Sequence, residues 1–126
     1  MVNKRILIID DEDDIREVAQ LTLEAVGGFE VFTAESGSEG LVKAQAEQPD
    51  AILLDVMMPE MDGITTFKNL QANPVTSNIP VILLTAKVQA SDQRRFAELG
   101  ITGMVAKPFD PMTLTEKVAE ALGWQY

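Results

Sequence analysis

Five short apolar runs, evenly spaced, alternate with segments of helical periodicity along this 126-residue chain, and that alternation restricts its fold more than any other feature. The runs cover residues 6–9, 31–34, 51–54, 80–84 and 103–106. The first, third and fourth are continuously apolar and rich in β-branched residues, as expected of strands covered on both faces. Between the first two runs, Ile15, Val18, Ala19, Thr22, Leu23 and Val26 fall on one helical stripe, which stops at Gly27-Gly28. Leu41 and Ala44 mark a second helix, opened by Ser36 and ended before Pro49. Ile64, Phe67 and Leu70 mark a third, opened after Asp62-Gly63. Phe96 and Leu99 mark a fourth, with Ser91 or Asp92 near its start and Gly100 after it. Leu114, Val118, Ala121 and Leu122 mark the last, for which the sequence predicts Asp110 as N-cap, Pro111 at the first helical position and Gly123 beyond the end.

Strict strand–helix alternation requires an α/β fold with a mainly parallel sheet, right-handed crossovers and helices on both faces. Five units are too few for an eight-stranded barrel. The expected architecture is therefore a (βα)5 open, doubly wound sheet forming a single domain over residues 1–126, without repeats or linkers. Such a sheet places its ligand site at the carboxyl ends of the strands, beside the switch in strand order.

Asp10 and Asp11, then Glu12, Asp13 and Asp14, follow the first strand. Asp55 follows the third, Thr85-Ala86 the fourth and Lys107-Pro108 the fifth. With the first and third strands adjacent, Asp10, Asp11 and Asp55 converge. Clustered carboxylates repel, so such a site calls for a cation. Oxygen-only ligands suit a hard ion such as Mg²⁺, which takes one or two carboxylates together with waters and phosphate oxygens. Lys107 adds a fixed positive charge and Thr85 a hydroxyl donor, a pair able to hold two oxygens of a phosphoryl group on Asp55. Glu12, Asp13 and Asp14 read instead as a solvated helix start, because carboxylates favour helix N-termini.

Composition narrows the chemistry. The chain has neither cysteine nor histidine, which leaves no thiolate nucleophile, no zinc–thiolate site and no imidazole base. A net charge of −10 sets it against the phosphate backbone of nucleic acid and against anionic membrane surfaces. The apolar stretch after Lys4-Arg5 is too short for a signal peptide, and no run approaches membrane-spanning length. The expectation is a soluble, cytoplasmic protein.

The segments ILIIDDEDD, ILLDVMMPEMDG, VILLTA and AKPF, taken together, resemble a response-regulator receiver domain of two-component signal transduction, over residues 5 to about 122. The resemblance implies a flavodoxin-like sheet in the order 2-1-3-4-5 and an aspartyl-phosphate acceptor at Asp55. It implies Mg²⁺ held by Asp11, by Asp10 through water, by Asp55 and by the backbone carbonyl of Met57. It makes Thr85 the switch hydroxyl and Lys107 the cation that pairs with the phosphoryl group, with a cis Lys107–Pro108 peptide. Pro59 and Gly63 would shape the loop after the third strand. The implied phosphodonor is a sensor histidine kinase or phosphotransfer protein, and the implied output is contact with a target protein through the helix 4–strand 5–helix 5 face. Nothing after Leu122 resembles an output domain, so a stand-alone module that catalyses only its own phosphorylation and dephosphorylation is expected. Met104 departs from the pattern, since many receivers carry Tyr or Phe three residues before the lysine.

Three other readings compete. A haloacid-dehalogenase-type phosphatase also uses an Asp nucleophile, but it places that residue after the first strand in a D-x-D arrangement, whereas Asp55 is followed by Val56-Met57. A flavin mononucleotide carrier needs neutral donors after the first strand, where this chain has five acids. A phosphorylation-independent interaction domain would have no need of the full set Asp10, Asp11, Asp55, Thr85 and Lys107.

Overall fold

The computed structural model describes residues 4–86 and 89–125. Its elements run β1 (Arg5–Ile9), α1 (Asp13–Gly27), β2 (Glu30–Ala34), α2 (Gly37–Glu47), β3 (Ala51–Asp55), α3 (Gly63–Ala72), β4 (Val81–Thr85), α4 (Ala90–Leu99), β5 (Gly103–Ala106) and α5 (Leu114–Leu122). All pairings are parallel and the strand order is β2-β1-β3-β4-β5. The order reverses at β1, where β1 meets β3 with Ile9 opposite Leu54. The crevice between their carboxyl ends is therefore the place such a fold offers a ligand.

The strands are apolar on both faces because both faces are covered. Leu7, Ile9, Ile52, Leu54, Val81 and Leu83 point to one side, where Phe67, Leu70 and Phe96 of α3 and α4 pack on them. The alternate residues Ile6, Ile8, Leu53, Ile82 and Leu84 point to the other, beneath Ala19 and Leu23 of α1 and Leu114 and Val118 of α5. A period of two along each strand thus builds two cores from one sheet. Fully burying each Leu or Ile side chain is worth about 1.5–3 kcal/mol relative to leaving it exposed. Trp124 extends the second core, meeting Phe29 edge-on with ring centroids 5.5 Å apart.

Local punctuation agrees with the sequence at several ends. Ser36 caps α2 by accepting from the Glu39 N–H, and Asp62 caps α3 by accepting from Thr65. Gly28 ends α1 at φ 68°, a left-handed conformation that costs glycine nothing.

Two expectations need correction. Asp110 does not cap α5: its side chain accepts from the Met112 N–H and its carbonyl from the Thr113 N–H, so it opens a separate turn at 111–113. The helix starts only at Leu114, with Thr113 in the N-cap position. The α1 stripe is also narrower than its periodicity suggests. Ala19 and Leu23 are buried, but Val18 and Val26 are exposed, because the sheet meets only the centre of the helix face.

Candidate functional site

Each chemistry-bearing residue sits where a strand hands over to its loop, and the sheet ladder carries past the strand ends to hold the backbone there. The Asp10 N–H donates to the Ala34 carbonyl, Val56 N–H to Leu84, and Lys107 N–H to Thr85 at 2.9 Å. Asp55 lies opposite Leu84, and Thr85 opposite Ala106. Parallel register therefore brings Asp10, Asp55, Thr85 and Lys107 to one edge. The Lys107–Pro108 peptide is cis.

The loop between Asp55 and α3 turns back tightly on the acid. Gly63 N–H donates to the Val56 carbonyl at 2.9 Å, and a Cβ on Gly63 would lie 2.3 Å from the Asp55 carbonyl oxygen. Glycine is required here for close approach of two backbones.

Lys107 is the hub of the cluster. Its ammonium lies 2.9 Å from Glu12 Oε1, 3.0 Å from Asp10 Oδ2 and 3.4 Å from Asp55 Oδ1. Asp10 Oδ1 accepts from the Glu12 N–H at 2.9 Å, and Asp55 Oδ1 from the Met57 N–H at 3.3 Å. Arg16 of α1 pins the same loop from behind, donating to the Asp10 carbonyl at 2.7 Å and pairing with Asp13 and Glu35.

Asp10 and Asp55 are buried; Asp10 Oδ2 is engaged by the Lys107 ammonium, whereas Asp55 Oδ2 has no hydrogen-bond partner among the described residues. Burial pushes the Asp55 carboxyl up to about 7, with the Asp10 charge adding to the rise and Lys107 and the Met57 N–H opposing it. Burial pulls Lys107 down, but hydrogen bonds to Glu12 and Asp10 and the charges of Asp10 and Asp55 outweigh it and raise its pKa. Lys107 is thus charged at neutral pH and insufficient to keep Asp55 fully ionised.

One more cation would complete the site. Asp10, Asp11, Glu12 and Asp55 offer oxygens all within 4.8 Å of one another, and Asp55 among them carries a buried oxygen without a hydrogen-bond partner among the described residues. An all-oxygen donor set with surplus negative charge fits a hard divalent ion such as Mg²⁺. The cleft beside it, about 360 Å³, opens between Glu12, Asp55, Met57, Thr85 and Lys107. A phosphoryl-sized group fits there.

The structure brings together all the candidates named from sequence. Asp10, Asp11 and Asp55 form the acidic pocket, Lys107 enters it, and Thr85 lines the cleft from the end of β4. Met57 lies on the rim with its side chain exposed. Met104 is half-buried on β5, facing a larger cleft of about 640 Å³ between α4, β5 and α5, away from the carboxylates. Lys87, which follows Thr85-Ala86 in the sequence, lies outside the described residues. Two contributors escaped the sequence reading. Glu12, though exposed, reaches Lys107, and Arg16 holds the Asp10 carbonyl. Neither has a local signal, since Glu12 stands in an acidic run at a helix start and Arg16 occurs within an ordinary helix.

Comparison with known proteins gives a consistent result. Residues 6–119 match the family model of the response regulator receiver domain. The chain is 40% identical over 121 residues to the alkaline phosphatase synthesis transcriptional regulatory protein PhoP of Bacillus subtilis, covering 96% of this chain and 49% of that protein. It is 41% identical over 119 residues to the response regulator PleD of Caulobacter vibrioides, covering 93% of this chain and 26% of that one. The chain thus spans about half, or less, of the length of these curated relatives. Among solved structures, the chemotaxis response regulator CheY4 of Vibrio cholerae superposes with a TM-score of 0.88 at 32% identity, covering 95% of this chain and 99% of that one.

Proposed function

We infer, from the premise that this chain belongs to the response regulator receiver domain family, that Asp55 is its phosphoryl acceptor. The chain is a receiver domain of two-component response regulators, a signalling module rather than a metabolic enzyme. The observation that carries the assignment is the setting of Asp55. It is a buried carboxylate at a strand end with one oxygen unsatisfied and a lysine ammonium 3.4 Å from the other.

Phosphoryl transfer asks little covalent chemistry of a protein beyond the acceptor itself, because in-line positioning and neutralisation of spread charge lower most of the barrier. An Asp55 carboxylate oxygen forms the new bond to phosphorus as the bond to a partner's histidine nitrogen breaks. The electron pair stays on that nitrogen, and the product is an acyl phosphate. Lys107 carries a positive charge to the transferring oxygens, and Asp10, Asp11, Asp55 and the Met57 carbonyl would hold Mg²⁺. When bound, the ion supplies the further charge neutralisation that the transferring group needs. Hydrolysis of the acyl phosphate by water restores Asp55.

The Thr85 hydroxyl, on the rim of the same cleft, is the donor that engages the acyl phosphate, and its shift moves the surface formed by β4, β5 and α5. The phosphodonor is a histidine kinase or phosphotransfer protein, and the α4–β5–α5 face meets the target. Intact-mass measurement after incubation with acetyl phosphate and Mg²⁺ tests the assignment: one phosphoryl adduct is expected on the wild type and none on Asp55→Asn. Equal labelling of both proteins would refute it.

A further inference from the structure

We propose that Glu12 is a displaceable competitor for Lys107, which holds the ammonium away from Asp55 and weakens the protein's hold on a phosphoryl group there. The inference rests on the assignment of Asp55 as acceptor.

Glu12 occupies the N-cap position of α1, with extended backbone (φ −91°, ψ 117°), yet its side chain caps nothing. It reaches instead across the site to Lys107, 95 residues away in the chain. An ammonium has three N–H donors, and Lys107 faces three carboxylates. The contact to the nucleophile is the longest, 3.4 Å against 2.9 Å for Glu12 and 3.0 Å for Asp10. A phosphoryl group on Asp55 adds nearly two negative charges and new acceptor oxygens, and Lys107 must turn to them.

Only one of its partners can leave at small cost. Asp10 is wholly buried and held by the Glu12 N–H, whereas the Glu12 side chain is 59% exposed and free to swing into water. Until it swings, its carboxylate both occupies the lysine and repels the incoming anion. Exposed ion pairs are weak, so Glu12 sets a threshold rather than a block. The opposite role, a further metal ligand, is the natural rival, because Glu12 shares the four-acid cluster.

Beryllofluoride with saturating Mg²⁺ serves as the phosphoryl mimic, and its dissociation constant is measured by amide chemical shifts for wild type, Glu12→Gln and Asp14→Asn. Asp14 is an exposed acid of the same run and is not among the three carboxylates that meet Lys107, so its variant controls for net charge. Glu12→Gln is expected to bind about two- to fivefold more tightly, with Asp14→Asn unchanged. The gain should shrink between about 0.05 and about 0.5 M salt as the surface pair is screened. Equal shifts in the two variants, or weaker beryllofluoride and Mg²⁺ binding in Glu12→Gln, would overturn the proposal, the latter in favour of metal ligation. Failure of the wild type to bind beryllofluoride at all would instead remove the acceptor assignment, and this inference with it.

Discussion

Gly63 packs its α-carbon against the carbonyl of Asp55 so closely that an added Cβ would sit 2.3 Å from that oxygen and 2.7 Å from the Val56 Cα. Both obstacles are backbone, so neither can rotate away. Gly63→Ala should cost about 2 kcal/mol or more and displace the loop that carries Met57, lowering phosphoryl labelling as well. Gly28→Ala is the contrasting case. There a Cβ meets nothing within 4 Å and only the left-handed φ of 68° opposes it, so a loss of about 1 kcal/mol with unchanged labelling is expected. Urea unfolding and intact-mass labelling of both variants check the pair.

The raised pKa of Asp55 has a consequence for stability. Its carboxyl titrates at about 7 in the folded chain against 3.8 as the ordinary value, so between these pH values the folded state binds more protons than the unfolded. Stability contributed by the neutral carboxyl is complete below about pH 4 and is lost as the pH rises to about 7. Asp55→Asn has no such charge to bury. In EDTA it should match the wild type near pH 4 and exceed it above pH 7 by more than about 1 kcal/mol, roughly 4 °C in Tm. Parallel melting curves across that range would show that Asp55 is not burdened by its charge.

A divalent cation should relieve the same burden. Millimolar Mg²⁺ should raise the Tm of the wild type and raise that of Asp11→Ala much less; at a hundred times Kd the gain is about 2.7 kcal/mol. Because Asp55 must ionise to bind the ion, Mg²⁺ binding releases a proton below about pH 7. Apparent affinity should then fall by up to about tenfold per pH unit below that point, which calorimetry in buffers of different ionisation enthalpy can measure. An equal thermal shift in Asp11→Ala would place the ion elsewhere.

Receiving the phosphoryl group and responding to it should separate at Thr85. Thr85→Ala leaves the carboxylates and Lys107 in place, so labelling at Asp55 should survive within about threefold, while the phosphorylation-induced amide shifts on α4 and β5 should be largely lost. Lys107→Ala should reduce both. Full chemical-shift changes in Thr85→Ala would exclude Thr85 as the switch.

The short, continuously apolar runs and the helical spacing between them determined five strands, five helices and their order, because a short run apolar on both sides suits a covered strand and a stripe at helical spacing suits a helix. The same reading placed Asp10, Asp55, Thr85 and Lys107 at one edge, since in a parallel sheet every strand ends on the same side. Local punctuation carried less. Asp110-Pro111 signals a helix start, yet the chain makes a separate turn before Leu114 once Asp110 is bonded to Met112 and Thr113. Val18 and Val26 share the periodicity of Ala19 and Leu23 and still face water, because which part of a stripe is covered depends on where the sheet lies. Only the tertiary structure decided that Glu12, indistinguishable in sequence from its acidic neighbours, faces Lys107. It alone decided that Asp55 is raised to about 7. Contacts between residues 95 apart and the cost of burying a charge depend on distances set by packing, and no local pattern encodes them.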